Sequence, residues 1–385
     1  MKLIESIWVQ MVKTTTLLIY LMVLNYFCLG ICFNFLVDSM NRFQKMLSRV
    51  PGPPITIRND FDLTPPPAHF IYINETLYGP GVSKPDASFL IGCSCYVIDQ
   101  TPGSKSKARS GCCSHRECEC ISQNPDGNPA YDSDGLLLPG TSVIYECNKK
   151  CCCSVFNQPC KNRVVQMGRQ VSLTIIRLPD QRGWGVIANH DIPRGTFIDL
   201  YLGEVITTKE ATKRFISVSQ DSKSDIGSYL FDLDFNYDSG TECEFTLDAY
   251  RYGNVSHFFN HSCSPNLKVY PCFIDHLDTR LHSIAFFACR SISKGDQLTF
   301  DYMGLEGNHN RVPRGNAAKR PRKGASFDSE DDDFAAMPSH RNIEIDFDDM
   351  TPDSRRSSSG AMKRNQNKPI KCLCGSANCR KFIYI

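Results

Sequence analysis

Cysteine dominates the chemistry that this chain could do. Twenty thiols occur in 385 residues, and they are clustered. Cys93, Cys95, Cys113, Cys118, Cys120, Cys147, Cys151, Cys153 and Cys160 make one block, and Cys372, Cys374 and Cys379 make a second. Two chemistries compete for such a pattern. In an oxidising compartment clustered cysteines pair as disulfides. In a reducing one they serve as thiolate ligands, and zinc takes four in a tetrahedron. Cys-x-Cys spacing favours metal, because both sulfurs can face one ion. Nine thiols suffice for three zinc ions if three of the thiols bridge. Cys112 and Cys152 are then spares beside ligands, with Cys113 preferred to Cys112 for its spacing to Cys118. The three thiols of the second group cannot complete a structural site. Cys243, Cys263, Cys272 and Cys289 are open candidates for the fourth, and each also reads as a buried small apolar residue.

The elements that must position these thiols change character along the chain. Residues 45–90 are Pro-rich, as in Pro51-Gly-Pro-Pro, and read as an extended arm. The first cysteine block, residues 91–168, is rich in Gly, Ser, Asp and Asn, as expected of loops folded around metal. From residue 169 to 303 short β-rich runs recur: Val171–Arg177, Gly185–Ala188, Thr196–Tyr201, Tyr229–Leu233, Phe245–Asp248, His282–Ala288 and Gln297–Phe300. Turns such as Pro193-Arg-Gly separate them. One helix is predicted over Thr208–Val218. Residues 304–370 carry Lys319-Arg-Pro-Arg-Lys323 and a run of acids, and read as a disordered linker. Residues 371–385 regain cysteines and aromatics, so this tail is expected to fold back onto the main domain.

A formal net charge of +2 gives no overall basic field, and no sequence-specific DNA binding is predicted. Within residues 1–44, the run from Thr14 to Val37 has no charge and is long enough to cross a bilayer. Three readings stand: a transmembrane anchor, a buried or targeting segment, or residues that are no part of the natural chain.

Other residues carry a resemblance. Asn260-His-Ser-Cys-Ser-Pro-Asn266, preceded by Gly253-Asn-Val-Ser-His-Phe258, resembles the central signature of SET-domain lysine methyltransferases. Arg182-Gly-Trp-Gly-Val186 is similar to that family's cofactor-binding turn. Tyr201-Leu-Gly-Glu-Val205 and Leu298-Thr-Phe-Asp-Tyr302 match two further motifs. The nine-cysteine block resembles the pre-SET module, and Cys372-Leu-Cys-Gly-Ser-Ala-Asn-Cys-Arg380 the post-SET module. The set is similar to the histone H3 lysine-9 methyltransferases of fungal heterochromatin, whose frequent N-terminal chromodomain is not found in this sequence.

The resemblance implies a mostly-β SET fold of small sheets with a threaded, pseudoknot-like C-terminal segment, flanked by the two zinc modules. It implies S-adenosylmethionine as cofactor and zinc as metal, three ions in the first cluster and one at a site of Cys263, Cys372, Cys374 and Cys379. Tyr302 would be the essential hydroxyl, with Tyr229 lining the lysine channel and touching the cofactor. Phe300 would set the number of methyl groups, here di- or trimethylation. Arg182, Gly183, Trp184, His257, Asn260, His261 and Tyr384 would contact the cofactor or tune the site. The implied partners are the histone H3 tail and heterochromatin recruitment proteins, and the implied place is chromatin in the nucleus. Two other classes stay open on the residues alone: a zinc-folded chromatin scaffold without catalysis, and a secreted or membrane-tethered disulfide protein.

Overall fold

The computed structural model describes residues 30–87, 90–94, 118–155, 160–219, 229–235, 243–304 and 369–383. Within them the chain is mostly short strands in six small sheets. One four-stranded sheet runs in the order Leu77–Tyr78, Glu204–Thr207, Phe245–Asp248, Leu230–Asp232. A second runs Ile144–Tyr145, Leu267–Phe273, Ser283–Ala288, Phe197–Leu200. A three-stranded sheet joins Ile55–Arg58, Leu173–Arg177 and Trp184–Ala188. Their inner faces meet on Ile198, Val255, Phe259, Leu267 and Phe286, all essentially without solvent contact. Alternation makes this possible: in Leu173–Arg177, Leu173 and Ile175 point inward while Thr174 does not.

The arm contributes more than an extended connection. Ile55–Arg58 pairs in parallel with Leu173–Ile176, Ile71–Tyr72 with Tyr252–Gly253, and Leu77–Tyr78 with Glu204–Val205. Each arm strand thus takes an outer position in a sheet built by later sequence. Before the arm, residues 30–47 form a helix whose Leu36, Phe43 and Leu47 are buried. No helix among the described residues is long and apolar enough to cross a membrane. Residues 14–29 of the uncharged run lie outside the described residues, as does the linker from 305 to 368.

The seven β-rich runs of the central domain all contain strands, and the expected helix is there as Thr208–Ser219. Thr207 starts it: its hydroxyl oxygen accepts the Glu210 N–H at 3.2 Å, satisfying a donor left free by the first turn. The longest strand among the described residues, Leu267–Phe273, was not among the expected runs. Pro271 argues against a strand interior, because proline lacks the N–H that a ladder uses. It is tolerated opposite Ile284, while the parallel neighbour Ile144–Tyr145 pairs only from Cys272 onward.

One crossing matters most for function. Asn260–His261 pairs in parallel with Thr299–Phe300. Just beyond, the Asn266 amide donates to Gln297 O at 2.9 Å, and its oxygen accepts Thr299 N–H at 2.9 Å. The segment before Tyr302 is therefore pinned against the Asn-His-Ser-Cys stretch, the threaded arrangement of the SET fold.

Candidate active site and thiol centres

The thiols gather as ligand sets. Cys93, Cys120, Cys147 and Cys151 hold their sulfurs within 4.8 Å of one another, and so do Cys147, Cys153 and Cys160. Cys93 also groups with Cys118 and Glu119. Cys93 and Cys147 each belong to two groups, as bridging thiolates must. Cys95 and Cys113 lie outside the described residues. The second centre brings Cys263, one of the four cysteines left open, to Cys372, Cys374 and Cys379. Cys243, Cys272 and Cys289 are in no such group among the described residues.

Among the described cysteines the distances fit metal and are too long for disulfides. A tetrahedral zinc with sulfurs at about 2.3 Å sets them about 3.8 Å apart. Here Cys263–Cys372 is 3.8 Å, Cys147–Cys160 3.7 Å, Cys93–Cys147 4.0 Å and Cys120–Cys151 3.4 Å. A disulfide needs about 2.05 Å. None of the sixteen described cysteines forms a disulfide. Cys152 stands beside the first cluster without joining a ligand set, as expected of a spare.

Tyr302 lies at the end of the threaded segment. Its hydroxyl donates to Phe259 O at 2.7 Å, and its backbone N–H donates to His261 Nδ1 at 3.2 Å. Burial, then the nearby Tyr229 phenol, pushes its pKa well above the ordinary tyrosine value. The Phe300 ring sits 4.7 Å from that of Tyr302 and 5.0 Å from Phe286. Tyr201 completes the group: its hydroxyl donates to Tyr229 O at 3.1 Å, and burial, with Tyr302 and Tyr229 nearby, raises its own pKa. His261 Nδ1 accepts the Tyr302 N–H, and its Nε2 lies 3.3 Å from the Cys263 sulfur and 3.4 Å from Arg380 Nη2. One imidazole thus joins the phenol strand to the second thiol centre.

The glycine-rich turn meets the same place from the other side. Asn260 Nδ2 donates to Trp184 O at 2.9 Å. A Cβ on Gly185 would lie 2.7 Å from Gln297 Nε2 and 3.0 Å from Asn260 Nδ2, so a side chain there would have to displace these two amides. Gly183 has φ +76°, which glycine adopts without strain. Arg182 is held by Asp180 at 2.7 Å and by Gln297 Oε1 at 3.1 Å.

His257 sits behind Tyr229, stacked on its ring at 4.3 Å and 13°. Burial lowers its pKa to about 3, and its Nδ1 lies 2.8 Å from Ala249 O, so it is a neutral ring donating to that carbonyl. Tyr384 lies outside the described residues. Sequence reasoning left Asp301 and Arg380 unassigned, although both stand inside recognised motifs. Arg380 Nη1 donates to Asp301 Oδ2 at 2.9 Å, and its backbone N–H points at the Cys263 sulfur at 3.3 Å. Adjacency was the available signal: Asp301 precedes Tyr302, and Arg380 follows Cys379.

Fold and site together define a SET-domain protein with two thiol centres and a phenol-lined site. The SET domain family is matched over residues 183–303 and the Pre-SET motif over 48–163, a span that takes in the arm as well as the cysteine block. The chain is 35% identical over 352 residues to the histone-lysine N-methyltransferase, H3 lysine-9 specific, of Schizosaccharomyces pombe, covering 90% of this chain and 58% of that one. It is similar to the Neurospora SET-domain protein DIM-5, a histone lysine methyltransferase, with a TM-score of 0.54 and 32% identity over 70% of this chain and 100% of that one. A structure of KRYPTONITE with mCHH DNA, an H3(1-15) peptide and SAH matches with a TM-score of 0.54 and 25% identity, over 88% of this chain and 52% of that one. This chain belongs to the SET-domain family of histone-lysine methyltransferases, in the group that carries a Pre-SET motif. It spans about half the length of the curated relatives it matches.

Proposed function

We propose that this protein transfers methyl groups from S-adenosylmethionine to histone H3, at lysine 9, and carries the product to the di- and trimethyl states. The observation that carries this reading is Tyr302, whose hydroxyl donates to Phe259 O and whose backbone N–H donates to His261, with the Phe300 ring 4.7 Å from its own. The relative from Schizosaccharomyces pombe supports the lysine, and the KRYPTONITE complex supports the H3 tail and the cofactor.

The residues divide the work as follows. The Tyr302 hydroxyl hydrogen is committed to Phe259 O, so only oxygen lone pairs remain for a ligand. Burial keeps the group a phenol, so it orients an amine or a methyl group as an acceptor and is no base. Free lysine has a pKa of about 10.4, and the attacking amine must be neutral. Phe300, Tyr229 and Tyr201 offer it apolar walls, which disfavour the charged form. Phe300 presents no hydroxyl that could hold a water beside the amine, which leaves room for methylated states. The turn Arg182, Gly183 and Trp184, with Asn260, His261 and Tyr384, would hold the cofactor, which supplies a methyl group on a sulfonium. His257 reaches that site through Tyr229. Three zinc ions at the first cluster, with Cys95 and Cys113 completing the nine ligands, and one at the second would fix the flanking modules. The arm at 45–90, the pre-SET block at 91–168, the SET domain at 169–303 and the post-SET tail at 371–385 are the units of this scheme. Its place is heterochromatin in the nucleus, reached through recruiting proteins.

The test is methyl transfer to H3 peptides that each lack one lysine, with wild type and Tyr302→Phe. Transfer should vanish only for the peptide without lysine 9. The variant should lose about a hundredfold, the scale of a misplaced reactant, while still binding cofactor. Equal transfer to the peptide without lysine 9 sinks the assigned position. Failure to bind cofactor at all sinks the enzyme.

A further inference from the structure

Tyr229 is braced from outside the SET domain. Its backbone carbonyl accepts from Ala249 N–H and from the Tyr201 hydroxyl, both at 3.1 Å. Its ring is held by other rings. His257 stacks on it at 4.3 Å and 13°, and Phe70 of the arm leans on His257 at 4.5 Å. Tyr250 also tilts against it at 5.7 Å, and His69 stacks on Tyr250 at 4.6 Å and 20°. Two consecutive arm residues therefore reach the same phenol by two separate rings.

The arm is fixed for this purpose. Ile71 N–H donates to Arg251 O at 2.8 Å and Ile73 N–H to Gly253 O at 2.7 Å, the pairing that registers Ile71 opposite Tyr252. Phe70 is buried and also packs on Phe258 at 5.2 Å and on Phe43 of the preceding helix at 6.1 Å. Aromatic pairs prefer defined tilts, so a ring with such neighbours has few orientations.

We propose that His69 and Phe70 are positioning residues for methyl transfer: through Tyr250 and His257 they set the plane of the Tyr229 ring that walls the lysine channel. The inference rests on the function proposed above. The arm then does more than seal sheet edges, because its docking sets how tightly the channel grips the amine. Neither residue touches the reacting atoms.

The experiment uses the zinc-loaded full chain as wild type, Phe70→Met, His69→Ala and Phe70→Tyr. Four quantities are read: KM and kcat for the H3 peptide, zinc content, and the ring signal of Tyr229 in 13C-tyrosine NMR, assigned by its loss in Tyr229→Phe. Phe70→Met should raise the peptide KM about tenfold, with kcat less affected and zinc retained, on the scale of one aromatic pair. The Tyr229 ring signal should move in Phe70→Met and in His69→Ala. Phe70→Tyr, which keeps the ring, should restore both readouts. An unmoved Tyr229 signal with unchanged KM overturns the proposal, as does equal damage in Phe70→Tyr. If wild type methylates no H3 peptide, the proposed function fails separately, and the Tyr229 signal in Phe70→Met alone decides the brace.

Discussion

Arg380 grips the Asp301 carboxylate with both terminal guanidinium nitrogens, and so ties the second thiol centre to the residue before Tyr302. Asp301 is only 4% exposed and Arg380 27%. Breaking a fully buried pair costs about 3–5 kcal/mol, and this one costs less because Arg380 partly faces solvent. Arg380→Ala should keep its full zinc content, since no ligand is removed, yet lose methyl transfer by tenfold or more. Arg380→Lys should fall between, because an ammonium cannot make the two-pronged contact. Metal analysis beside a transfer assay checks this. Unchanged transfer in Arg380→Ala would show that the clasp is idle.

Cys263 is the one thiol of its group that lies inside the SET domain. Cys263→Ser should reduce zinc from about four to about three per chain, since a hydroxyl is a poor substitute for a thiolate. The remaining zinc should stay with the first cluster. Transfer should fall with the lost ion, because the tail is then held to the SET domain by the Asp301–Arg380 contact without the metal beside it. Mass spectrometry of the intact, metal-loaded protein reads the count.

Phe300→Tyr places a hydroxyl beside Tyr302, where the rings stand 4.7 Å apart. The hydroxyl should recruit a water and crowd a methylated amine. Product should shift toward monomethyl-lysine with the first transfer largely retained. An unchanged ladder of mono-, di- and trimethyl products in peptide mass spectra counts against the assignment of Phe300.

His257 gives the acid side of the stability curve a definite sign. Burial lowers its pKa from 6.5 to about 3. Between those values the unfolded chain takes a proton that the folded chain refuses, so stability is present above pH 6.5 and is lost as pH falls toward 3. His282, buried and lowered to about 4, acts in the same direction. Asp199 opposes them: burial raises its pKa to about 7, so its contribution is present at low pH and is lost as pH rises through 7. His257→Phe removes one acid-labile term. Its melting temperature should approach or pass that of wild type as pH falls from 7 to 4.5. A constant gap between the two curves would show that His257 is not the group responsible.

Much of the site could be read from the sequence because its chemistry is local. Asn260, His261 and Cys263 are near neighbours, as are Phe300 and Tyr302, and the thiol spacings speak for themselves. The β-runs from Val171 to Phe300 were legible through alternation and turns. What stayed hidden depends on pairing between distant segments. The strands Ile71–Tyr72 and Leu77–Tyr78 are two residues each, too short for any periodicity, and exist because Tyr252 and Glu204 lie beside them. Leu267–Phe273 was masked by its proline. The Asp301–Arg380 contact spans 79 positions, and no spacing rule reaches that far.

The outer strands of the arm have a consequence for solubility. A product trimmed to begin at Cys93 would bare the flanks of Leu173–Arg177, Glu204–Thr207 and Tyr252–Gly253, which the arm otherwise covers. Open ladders of this kind recruit strands from other molecules. Such a trimmed protein should self-associate even with every zinc ligand present, so the Pro-rich arm also acts as the chain's own guard against aggregation.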